Sequence, residues 1–113
     1  MDDSLNGNIA ALRSFWNSRS FHDMPVESIA RSNKSVVVTL DDYVLILTGA
    51  SEYRQSIDEF PTSWLSHILK DNARTAELNV RLELGGFDCE FGNLRLIRRS
   101  DYAILIPAVD SSH

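Results

Sequence analysis

Three histidines and the adjacent acids Asp41-Asp42 and Asp58-Glu59 are residues of this chain that could move protons or hold a metal. His22 stands beside Asp23, a pairing suited to acid–base work or to the start of a metal site. A metal site needs two or three further ligands at fixed spacing, and no HExxH or equivalent frame surrounds this one. A solvated loop is the expected role. His67 lies between Trp64 and Leu69, which predicts a partly buried imidazole bonded to backbone rather than a general base. His113 is in the tail and carries no signal. Asp41-Asp42 and Asp58-Glu59 are chain neighbours, whereas glycosidic chemistry needs carboxylates that bracket a substrate at a defined separation. Solvated turns account for both pairs.

The remaining chemical signals are weaker. Gly85-Gly86 has no GxGxxG or GxxxxGKS frame and precedes no helical pattern, so it is not a phosphate loop. No serine sits in a GxSxG elbow. Cys89 is the lone cysteine and alternates with Phe87 and Phe91, which predicts a buried core thiol, since a free cysteine behaves as a small hydrophobe. No catalytic residue, metal ligand or cofactor site is assigned. Aromatic residues are the residual signal. Phe60-Pro61-Thr62-Ser63-Trp64 leads irregularly into an apolar segment. Phe60, Trp64 and His67 are therefore the candidates for touching a partner or ligand. The competing reading is that Phe60 and Trp64 plug an open end of a sheet.

Bulk properties narrow the partners. At 113 residues the chain is one domain, long enough to bury a core without disulfides or a structural metal. Its net charge of -5 argues against nucleic acid and anionic membranes, which need clustered positive charge. The cations are nine scattered arginines and two lysines. Met1-Asp2-Asp3-Ser4 lacks the apolar stretch of a secretory signal. No apolar run approaches the roughly 20 residues needed to cross a bilayer. A cytoplasmic protein is expected.

The elements follow from periodicity. Leu5, Ile9, Leu12 and Trp16, widened by Phe15, share one face of a helix over 5–19. Ser4 or Asn6 would cap it, and Asp2 and Asp3 suit its positive end. Strands are expected at 26–32, 35–40 and 43–49, joined by turns at Asn33-Lys34 and Asp41-Asp42, whose residue types tolerate left-handed backbone. Residues 50–61 read as irregular. Residues 62–70 fit either a helix or a strand apolar on both faces, and strand is preferred because it can pair with its successor. Further strands are expected at 76–84, 87–98 and 102–106.

Strict alternation on both sides of Gly85-Gly86 predicts a hairpin with one dry face and one wet face. With the glycines as a two-residue loop, Leu84 faces Phe87, Leu82 faces Cys89 and Val80 faces Phe91. A bulge at Gly92-Asn93 then brings Leu78 to Leu94 and Ala76 to Leu96. On the wet face, Arg81 meets Glu90 and Glu77 meets Arg95.

The expected fold is α+β and mainly β. An N-terminal amphipathic helix packs on a curved antiparallel meander of six or seven strands, open or partly closed into a barrel. The expected function is a non-enzymatic interaction module, meaning an adaptor, subunit or immunity-type protein. Strands apolar on both faces (Val36–Val38, Val44–Leu47, Ile104–Ile106) point to a homodimer or another protein partner. The alternative is a small-molecule binder with an apolar cavity inside the sheet, lined by Trp64, Phe87 and Phe91. The weakest reading is an enzyme using His67 or His22.

Overall fold

The computed structural model describes residues 5–56, 59–71 and 75–107. Its helix, α1 (Leu5–Ser18), matches the apolar stripe. Ile9, Leu12 and Trp16 are buried, with Leu5 and Phe15 at the margin of the core. Polar side chains pin the helix to distant strands. Asn8 Nδ2 donates to the carbonyls of Leu94 (3.2 Å) and Pro107 (2.9 Å). Arg13 donates to the Leu69 carbonyl at 2.6 Å and pairs with Asp71 at 3.6 Å. The expected caps, Ser4 and the Asn6 side chain, and the acids Asp2 and Asp3 lie outside the described residues.

Nine strands follow: β1 (Pro25–Ser32), β2 (Ser35–Leu40), β3 (Tyr43–Thr48), β4 (Ser51–Gln55), β5 (Thr62–Asp71), β6 (Ala76–Leu82), β7 (Gly85–Phe91), β8 (Asn93–Arg98) and β9 (Ile104–Ile106). All pairings are antiparallel, in the order β4-β7-β6-β5-β1-β2-β3-β8-β9. The sheet is not closed into a barrel, and β4 and β9 are its edges. Two strands exceed the expected seven. One is β4, an edge strand of polar sequence (Ser51-Glu52-Tyr53-Arg54-Gln55) with no alternation to betray it. The other comes from the segment 87–98, which is two strands divided at Gly92.

The turns at Asn33-Lys34 and Asp41-Asp42 form as expected, with Asn33 at φ 53° and Asp41 at φ 47°. The segment 62–70 is strand. A register shift between Trp64 and Ser66 places Trp64 opposite Leu82 and His67 opposite Val80. Two residues three apart therefore share the inner face.

The hairpin turn lies two residues earlier than expected, which shifts each cross-strand partner by four residues. Its turn is Glu83-Leu84, and Leu82 pairs with Gly85. An even slip preserves the faces, so Val80, Leu82, Phe87, Cys89 and Phe91 remain buried. Two local causes favour the observed turn. The Glu83 N–H donates to the Ser63 carbonyl and the Leu84 N–H to Thr62 Oγ1, which ties the turn to β5. A Cβ built on Gly86 would lie 2.4 Å from the Val80 carbonyl oxygen, so the glycine serves a close approach inside the strand. The expected charge pairs consequently do not form: Arg81 faces Gly86, and Glu77 faces Glu90. Leu78 meets Cys89 rather than Leu94, and Ala76 meets Phe91 rather than Leu96.

The interruption expected at Gly92-Asn93 is present, but as a crossing between the ends of the sheet rather than a bulge against β6. β7 pairs with β6 and β4, and β8 pairs with β3 and β9. The Gly92 N–H donates to the Thr48 carbonyl at 3.0 Å, where β3 turns toward β4 through Gly49 at φ 62°. The inner faces of both ends meet α1 around one core. Phe21, just past the helix, is fully buried in it.

Candidate functional site

The three candidate residues come together only in part. Trp64 is fully buried, its ring 5.2 Å from Phe21, 6.2 Å from Trp16 and 6.5 Å from Phe87. Phe60 packs half-buried at the core margin. Trp64 thus belongs to the core, and Phe60 packs against it. His67 is half-buried, and its ring stacks on Trp16 at 3.8 Å. The Trp64 Nε1–H donates to His67 Nδ1 at 3.0 Å, so the neutral imidazole carries its proton on Nε2. Burial holds its pKa below the ordinary histidine value. The expected partner was backbone, and the indole takes that place.

The other sequence candidates are engaged in local structure. His22 Nδ1 donates to the Leu65 carbonyl at 2.8 Å, and its ring lies 3.4 Å from Asp23, both side chains being exposed. Asp42 accepts from the Ser100 N–H (2.9 Å) and hydroxyl (3.0 Å), bracing the turn after β8. Asp58 and His113 lie outside the described residues. Cys89 is fully buried, and its thiol is pushed up to about 11, first by burial. Among the described residues no cluster of three or more His, Cys, Asp or Glu is placed to hold a metal ion.

Two depressions on the outer faces of the sheet are better candidates than the sequence motifs. The larger, of about 680 Å³, lies across β5, β6, β7 and β4 and includes Arg54, Ser66, Asn79, Arg81, Gly86 and Asp88. The smaller, of about 570 Å³, has Val44 and Ile97 beside Tyr102, with Asp42, Arg99 and Ser100 at its polar end. Phe87 adjoins the larger groove, whereas Trp64 and Phe91 are fully buried and line neither. His67, a candidate from the sequence, lines the larger groove, but the polar groups of both sites were not legible, for identifiable reasons. Arg54 sits on the polar edge strand, Arg81 was expected to be neutralised by Glu90, and Tyr102 read as an ordinary strand residue. An arginine facing a glycine was the available signal, hidden by the displaced turn. No helix among the described residues is long and apolar enough to cross a membrane. No protein-family model, curated protein or solved structure matches the chain.

Proposed function

We propose that this is a non-enzymatic interaction module that docks a protein partner, a second copy of itself, on the outer face of β2, β3, β8 and β9. One observation carries the reading. Tyr102 (83% exposed) and Ile104 (60% exposed) project beside Val44 and Ile97, a concentration of apolar surface at one end of the sheet. The register extends it inward: Thr39, Val44, Ile97 and Ile104 form one cross-strand row, and Val37 and Ile46 stand in the next with Arg95 at its end. Contiguous exposed apolar surface marks interaction sites, and large aromatics anchor them. The three-residue strand β9 is an edge of the sheet at the same place, with no strand beyond it among the described residues. Its surroundings carry both signs, with Arg99 paired to Glu27 and Arg98 to Asp101. A two-fold axis sets a patch against itself, so mixed charge suits a second copy. The non-enzymatic reading is supported by the state of the catalytic candidates. His67 Nδ1 is taken by Trp64 and the Asp42 carboxylate by Ser100.

Sedimentation equilibrium at micromolar concentration tests the proposal. The wild type is expected at dimer mass and Ile104→Asp at monomer mass. A clean monomer mass for the wild type would overturn it.

A further inference from the structure

The larger groove lies on the other half of the sheet, away from the docking face, and its charges are unbalanced. The register sets Ser66, Arg81 and Gly86 in one row, and Ile68, Asn79, Asp88 and Arg54 in the next. Arg13, Arg98 and Arg99 have acidic partners, and Arg31 lies over the Tyr53 ring at 4.7 Å. Arg54 and Arg81, both on this groove, have no ion pair among the described residues. Arg54 stands across the ladder from Asp88, yet Asp88 Oδ1 accepts from Asn79 Nδ2 at 2.9 Å instead. Asp88 keeps its charge in the groove but is bonded to an amide rather than to either guanidinium, so two cationic groups stand there against one acid. Between their strand positions lies Gly86, where a Cβ would be 2.4 Å from the Val80 carbonyl oxygen. Backbone geometry therefore keeps that part of the floor free of any side chain.

We propose that this groove binds a small oxyanion, a carboxylate or a phosphate, between Arg54 and Arg81. A guanidinium presents a planar fork of donors that matches either group in a bidentate fashion. Ser66, across the ladder from Arg81 on the side away from Arg54, lies at the rim of the site. The surroundings limit the size of the anion. Beyond Arg54 the same face becomes acidic, with Glu52, Glu77 and Glu90 lining a neighbouring cleft of about 320 Å³. An anion extending past Arg54 meets those carboxylates, and the net charge of -5 adds a general repulsion of polyanions. Nucleic acid is disfavoured for that reason, and a compact anion is selected.

The test is an amide-resolved NMR titration of the full chain with sodium phosphate and, separately, sodium succinate, with sodium chloride at matched ionic strength as reference. Saturable shifts centred on Arg54, Ser66, Arg81 and Gly86 are expected from at least one of the two anions and not from chloride. Response to phosphate alone assigns a phosphate ligand, and response to succinate alone assigns a carboxylate. Arg81→Gln and Arg54→Gln should each weaken binding about 10-fold, the scale of one lost charge-assisted hydrogen bond. Arg19→Gln, at the far end of α1, should leave it unchanged. The spectra of the variants report directly whether each is folded. Absence of saturable shifts with both anions would overturn the proposal, as would binding that survives both groove substitutions.

Discussion

The rings of Trp16 and His67 lie 3.8 Å apart, centroid to centroid, with their planes inclined by 32°. The same imidazole accepts the indole N–H of Trp64. A helix residue and a strand residue therefore hold one histidine from two directions, and this is where α1 joins β5. Phe21 lies edge-on to both indoles, at 5.6 Å from Trp16 and 5.2 Å from Trp64.

Trp16 should dominate the docking of the helix. Trp16→Ala is expected to cost about 3–5 kcal/mol, the range for emptying a large buried aromatic site. Trp16→Phe should cost clearly less, because Trp16 Nε1 is buried with no hydrogen-bond partner and its removal breaks no bond. Urea denaturation of both variants checks the pair. Equal losses would show that the indole, not ring burial, is what anchors the helix.

His67 should make the fold acid-sensitive. Its native pKa lies below the ordinary 6.5 because burial disfavours the charged form. Between those two values the unfolded chain binds more protons than the native one, so stability falls as pH drops through 6.5 and levels off below the native pKa. Protonation of Nδ1 also removes the acceptor used by Trp64. Denaturation midpoints between about pH 5 and pH 8 should show this slope in the wild type. A slope unchanged in His67→Gln would assign the acid sensitivity to other groups.

Gly86→Ala should cost about 1–3 kcal/mol, the usual penalty for overpacking. The new Cβ would sit 2.4 Å from a backbone oxygen of β6, which has no flexible end to move aside. Thermal unfolding gives the answer, and a neutral result would mean that β6 and β7 separate easily.

Cys89 should resist modification in the native protein. It is fully buried, and its thiol is held near 11, so little thiolate exists at neutral pH. Labelling with a thiol reagent should be slow before denaturation and fast after it. Rapid native labelling would show that the strand opens locally.

Periodicity by itself determined the helix, the class of the fold and most of the core. Residues such as Ile9, Leu12, Leu78 and Phe91 must be buried wherever their element docks, because the pattern of 3.6 or 2 residues survives any partner. Turn chemistry likewise placed Asn33 and Asp41. Tertiary structure decided the rest. The slip from Gly85-Gly86 to Glu83-Leu84 was invisible because an even shift leaves the faces of the remaining strand residues unchanged, moving Leu84 into an exposed turn, and only anchoring to β5 distinguishes the two registers. β4 exists because β7 offers it an edge, not because its polar sequence prefers a strand. Of the candidate residues legible in the sequence, Trp64 became core, and His67 was bound by an indole that three residues of separation and one register shift brought to it. Arg54 and Arg81 became neighbours of one groove through pairings between distant segments. Cross-strand pairing is non-local, so the surface it assembles is written in no single stretch of the chain.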